Sequence, residues 1–158
     1  MKKLIIGLIA ITAIGAGCEQ NRILQPEANP DQKVITYLEA NIQRPNFGGQ
    51  VFCEYAKLGR KQYLRHLYIW AICQEYYRQG ETFTTGSGVS LAVDLKTDND
   101  GTILGHTAPT DEDYDTGKAF DMFPPEISSQ LKTGALSISD DKIISRAKDY
   151  FKTNKNGS

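Results

Sequence analysis

The side chains able to do chemistry are few. His66 and His106 are the two imidazoles, the groups best suited to move protons near neutral pH. Either would need a carboxylate partner, and the candidates are Glu54, Glu75 or an acid from the run at 111–115. Neither histidine stands in a nucleophile elbow, a zinc-protease motif or another recognised catalytic setting, so no catalytic residue is assigned. A lone histidine in a strand reads first as structural or exposed. Glu54 and Glu75 each fall in a strand beside aromatic residues. A carboxylate on a covered face must be paired or shifted in pKa, which would mark a site. The reading favoured here puts both near strand ends, reaching water or an arginine such as Arg78.

The three cysteines are Cys18, Cys53 and Cys73. A zinc site would have to recruit the histidines, which lack metal-finger spacing, and no Cys-x-x-Cys redox pair is present. Cys53 and Cys73 fit an antiparallel hairpin turning around Gly59 to Lys61, which sets Val51, Cys53 and Tyr55 on the side of Ile69, Ala71 and Cys73. A cross-strand disulfide is expected, contributing roughly 3 kcal/mol in the chain-entropy model. Two buried free thiols are the rival reading. Asp98-Asn99-Asp100-Gly101, set on a calcium-loop template, lacks the first carboxylate and the bidentate glutamate, so it reads as a hairpin turn. Gly86-Ser87-Gly88 has no Lys-Ser/Thr after it and reads as a flexible turn rather than a phosphate loop. No metal and no cofactor is expected.

These residues must be positioned by the stretch 64–77, the densest in sheet-favouring residues. Leu67, Ile69, Ala71 and Cys73 alternate onto one face; Tyr68, Trp70, Ile72 and Tyr76 take the other. Apolar on both faces, it is read as a central strand covered on both sides. Trp70 is expected to be buried; were the row exposed, Tyr68, Trp70 and Tyr76 would form a binding surface. Before it, Asn29 as N-cap and Pro30 at N1 open an amphipathic helix carrying Val34, Ile35, Leu38 and Ile42. After it, Val89 to Lys96 and Thr102 to Ala108 read as two further strands. Acids at 111–115 suit the start of a short helix through Phe123, Pro124-Pro125 stops it, and Glu126 to Leu131 starts another. Asp140-Asp141 caps a last helix through Phe151. The expected class is α+β: an N-terminal helix packed on a four-stranded antiparallel meander, a cystatin-like layout, with short C-terminal helices.

The first residues carry an address. Lys2 and Lys3, the apolar run Leu4 to Ile14, and the small residues Gly15 to Gly17 form a secretory leader. The run is shorter than the ~20 residues a membrane span needs. Ala16-Gly17-Cys18 resembles a bacterial lipobox, which implies lipidation of Cys18 and anchoring to a membrane. A cleaved signal that leaves Cys18 as an ordinary thiol is the alternative. The chain then divides into a leader at 1–17, lipidated Cys18 with a flexible tether over 18–29, one domain over 30–152 and a tail at 153–158. Losing Lys2 and Lys3 takes the formal charge from -1 to -3, which gives no case for nucleic acid as partner.

Val51-Phe52-Cys53-Glu54-Tyr55, Leu67-Tyr68-x-Trp70-x-x-Cys73-Gln74-Glu75-Tyr76, Gly86-Ser87-Gly88-Val89-Ser90 and Phe123-Pro124 together resemble small uncharacterised bacterial secreted proteins and lipoproteins. That likeness implies no activity. Two functions remain in view. One is a non-catalytic binding module of the cell envelope, held at the membrane by its lipid and meeting an envelope protein. The other is a small periplasmic or surface enzyme, hydrolase-like, using a His/carboxylate pair. Glu19 after the cysteine points to the outer membrane if the source is Gram-negative.

Overall fold

A strand apolar on both faces has to be covered twice, and the structure, a computed structural model, covers it twice. It describes residues 22–24, 28–61, 65–133 and 136–154. The leader, Cys18, most of the expected tether and the end of the tail lie outside these residues. In chain order come β1 (Arg22–Leu24), α1 (Gln32–Asn41), β2 (Gln50–Lys61), β3 (His66–Gln79) and β4 (Thr82–Thr97). Then follow β5 (Ile103–Thr107), α2 (Asp111–Asp115), α3 (Pro125–Lys132), β6 (Leu136–Ile138) and α4 (Asp141–Thr153). The class is α+β, with an antiparallel sheet in the order β2-β3-β4-β5. A separate parallel pair joins β1 to β6, so part of the segment read as an unstructured tether is a strand.

One face of β3 joins α1. Leu67, Ile69, Ala71 and Cys73 form a buried cluster with Val34, Ile35 and Leu38, together with Val51, Cys53 and Tyr55 of β2. The helix starts at Asp31, not Asn29, because Asp31 is held twice. Its carboxylate accepts from the Lys33 N–H at 2.9 Å, and its own N–H donates to the Tyr55 hydroxyl at 3.0 Å.

The opposite face meets the C-terminal half of the chain. Tyr68 and Trp70 are buried with Phe123, with Ile127 and Leu131 of α3, and with Leu136 and Ile138 of β6. Tyr76 is buried with Phe52 and with Ile143 and Ala147 of α4. Trp70 donates from Nε1 to the Ser90 hydroxyl at 3.0 Å, so its one polar atom is satisfied. The row Tyr68, Trp70 and Tyr76 is therefore core, and the binding surface it would have formed if exposed is not on the outside of the fold.

The register sets Cys53 opposite Cys73, and the two are bridged with Cα atoms 4.1 Å apart. Gly59 to Lys61 do not form the hairpin turn, since they continue β2 past an irregularity at Lys57/Gly59.

The largest correction is at Gly86-Ser87-Gly88, which runs inside β4 instead of forming a turn. The turn lies at Gly80, with φ of 64°. These strand glycines are there for close approach. A Cβ on Gly86 would stand 2.8 Å from a Glu75 carboxylate oxygen, and one on Gly88 would stand 2.5 Å from the Gln74 side-chain oxygen. Likewise α2 ends at Asp115 and does not reach Phe123, because Gly117 turns the chain with φ of 70°. Thr110 and Asp113 close a reciprocal capping box at its start.

Candidate functional site

Both strand glutamates are buried, against the expectation that they reach water, and they lie on opposite faces of the sheet. Glu75, on the α1 face, accepts from the backbone N–H groups of Asn46, Phe47 and Gly49, each at 2.9 Å. The Ser87 hydroxyl donates to it at 2.9 Å and in turn accepts from the Gln43 side chain at 2.8 Å. Burial works against its charge, but the donors win and hold its pKa down at about 2. Its task is to fasten the turn after α1 onto β3 and β4, and Arg78 takes no part.

Glu54, on the other face, is 2% exposed and lies under α4. Arg146 of α4 approaches one of its oxygens at 3.6 Å, and among the described residues the other oxygen has no hydrogen-bond partner. Arg146 is committed elsewhere: Nη2 bonds Glu39 of α1 at 2.5 Å, and Nη1 donates to the Cys53 carbonyl at 2.8 Å. Glu39 also accepts from the Cys53 N–H at 3.1 Å, so both outward backbone groups of Cys53 in this edge strand are bonded by side chains from two helices. Burial pushes the Glu54 pKa up; Arg146 and Lys142 pull it back only in part.

The histidines find partners other than those expected. His66 Nδ1 donates to both oxygens of Asp94, at 2.7 and 2.9 Å, and the ring stacks on Tyr68. The register explains the pair: His66 opposes Lys96 and Tyr68 opposes Asp94, so His66 and Asp94 are diagonal neighbours on one face. His106 Nδ1 lies 2.9 Å from the Tyr37 hydroxyl of α1. Neither histidine contacts Glu54, Glu75 or the acids of 111–115 in these bonds. Among the described residues no three His, Cys, Asp or Glu side chains gather where they could hold a metal ion, and no helix is long and apolar enough to cross a membrane.

What the sequence reading missed is a cleft of about 520 Å³ between α4 and the β3–β4 hairpin. Lys148, Phe151 and Lys152 line it from α4, and Arg78, Glu81 and Phe83 from the hairpin. Phe83 and Phe151 stack with centroids 5.2 Å apart. Tyr76 packs edge-on against Phe83 from within, so one member of the buried aromatic row supports the cleft from behind. Arg78 donates to the carbonyls of Phe151 and Asn154, at 3.0 and 3.3 Å, and its guanidinium lies 5.6 Å from the Phe151 ring centre. The last carbonyls of a helix carry partial negative charge, and Arg78 offsets it. The spacing of Lys148, Phe151 and Lys152 on one helical face was readable; that Arg78 and Phe83 lie opposite was not. A second hollow of about 260 Å³ shares Arg78 and Phe151 and runs toward Gly48 and Gly49. No family model, curated protein or solved structure matches this chain.

Proposed function

We propose that the protein is a non-catalytic binding module of the bacterial cell envelope, lipid-anchored through Cys18 on the extracytoplasmic side. In a Gram-negative source the anchor lies in the outer membrane. One observation carries the binding role: the cleft between α4 and the hairpin is open and cation-lined over an aromatic wall, the mixture that ligand sites use. Glu75, by contrast, is tied to holding segments of the chain together. Export is supported by the Cys53–Cys73 bridge, since such bonds persist in oxidising compartments. A cystatin-like layout belongs to this reading, supported by one helix lying against an antiparallel meander.

The test places a photo-crosslinking residue at Glu81, in the cleft, or at exposed Met122, and irradiates the tethered protein in its own envelope. A discrete adduct from position 81 and none from 122 is the expected result. Equal adducts at both positions would remove the cleft as the site. The lipid anchor is checked by fatty-acid labelling, which Cys18→Ala should abolish.

A second reading, a small periplasmic or surface hydrolase-like enzyme, is favoured by one observation, the His66–Asp94 pair. Turnover of an envelope substrate that His66→Gln abolishes would establish it.

A further inference from the structure

We propose that the cleft between α4 and the hairpin takes a small aromatic carboxylate, a flat ring with one acid group; this rests on the binding role given above. Charge points to the sign of the ligand. Arg78, Lys148 and Lys152 face it against the single acid Glu81, in a chain where Lys and Arg number 18 and Asp and Glu 19. A helix C-terminus would ordinarily repel an anion. Here Arg78 bonds the Phe151 and Asn154 carbonyls at that end, so the positive charges of Lys148 and Lys152 are left to act on the cleft.

Shape points to the ring. Phe83 and Phe151 lie nearly parallel, 12° apart, and Phe151 sits between the two lysines on α4. A ring laid against this pair gains offset or edge contacts, while its acid reaches the ammonium groups at Lys148 and Lys152. A volume of about 520 Å³ lies in the range of small-molecule sites.

The test uses the folded, disulfide-bonded protein and three probes followed by amide NMR. N-acetylphenylalanine carries ring and acid, its primary amide only the ring, and N-acetylglycine only the acid. The expected result is saturable shifts over Arg78–Phe83 and Lys148–Lys152 with the first probe, and binding about tenfold weaker or worse with the other two. In Lys148→Glu/Lys152→Glu, at exposed positions, the first probe should bind about tenfold more weakly or worse while the melting point is kept. If the amide or N-acetylglycine binds as well as the first probe, the aromatic-carboxylate class is wrong though the cleft still binds. If no probe gives saturable shifts there, the ligand assignment is overturned, and the crosslinking result alone then decides the binding role.

Discussion

Glu75 and Glu54 are the same residue type, in adjacent strands, both shut off from water on opposite faces of one sheet. Their environments push them apart. Glu75 is met by three backbone N–H groups and a hydroxyl, so its charge is the cheapest state available to it. Glu54 is met by Arg146, which bonds Glu39 and the Cys53 carbonyl more closely, with Lys142 acting through its charge, and one Glu54 oxygen has no hydrogen-bond partner among the described residues. Burial alone therefore says nothing about a carboxylate's state. The count and aim of the donors decide it. A backbone turn supplies several fixed donors at once; a helix laid across a sheet supplies one long side chain with other bonds to make.

An apolar truncation in the same sheet sets the scale for testing this contrast. Trp70→Ala removes a buried indole and should cost about 3–5 kcal/mol in urea unfolding. Glu75→Gln comes next. It removes the charge, and the new amide points N–H groups at N–H groups, but the turn lies near the rim of the fold, so freed donors can rotate toward water. A loss of about 2–4 kcal/mol is expected, read as a lower urea midpoint with an unchanged slope. A loss as small as that of an exposed residue would mean that the cradle does not hold the turn.

Arg146→Met tests the other side. It uncovers Glu39 and the Cys53 carbonyl but lets Glu54 take up a proton, so about 1–3 kcal/mol is expected. Glu54→Gln should recover more stability in the Arg146→Met background than it gains in the parent. Strict additivity of the two changes would show that Glu54 does not feel Arg146.

The sequence made one half of this contrast visible. Alternation in 64–77 identified the central strand, its two covered faces and the side of Cys73 that Glu75 shares, and this much holds in the fold. Aromatic neighbours single out both glutamates, yet nothing local in the sequence reveals their partners. Those partners are the turn after α1, Ser87 and Arg146, distant in sequence and brought in by tertiary packing. Gly86 and Gly88 mislead in the same way: glycine marks a turn locally, but here it makes room for the Glu75 and Gln74 side chains of the neighbouring strand β3. His66 and Asp94 were separable only with the β3–β4 register in hand. The three-residue strands β1 and β6 are too short for any period to show.

The smallest effect is the one that separates the two glutamates most cleanly. Glu54→Gln keeps the shape and removes a charge that burial already opposes, so near neutral pH it should leave stability within about 1 kcal/mol of the parent, on the gaining side. The pH profile carries the sign. The Glu75 pKa, about 2, lies below the ordinary 4.5, so its contribution is complete above pH 4.5 and drains away as pH falls toward 2. The Glu54 pKa lies above 4.5, so ionising it costs nothing below that pH. Its cost grows as pH rises through the raised value, and the contribution to stability slopes downward there. Urea midpoints of the parent, Glu75→Gln and Glu54→Gln from pH 2 to 7 should show two opposite changes. Glu75→Gln should flatten the limb below 4.5 and lower the upper one without changing its slope. Glu54→Gln should do the reverse, lifting the curve only above 4.5. If Glu54→Gln instead lowers stability above pH 4.5, its carboxylate is a satisfied ion, and the contrast between the two faces of the sheet collapses.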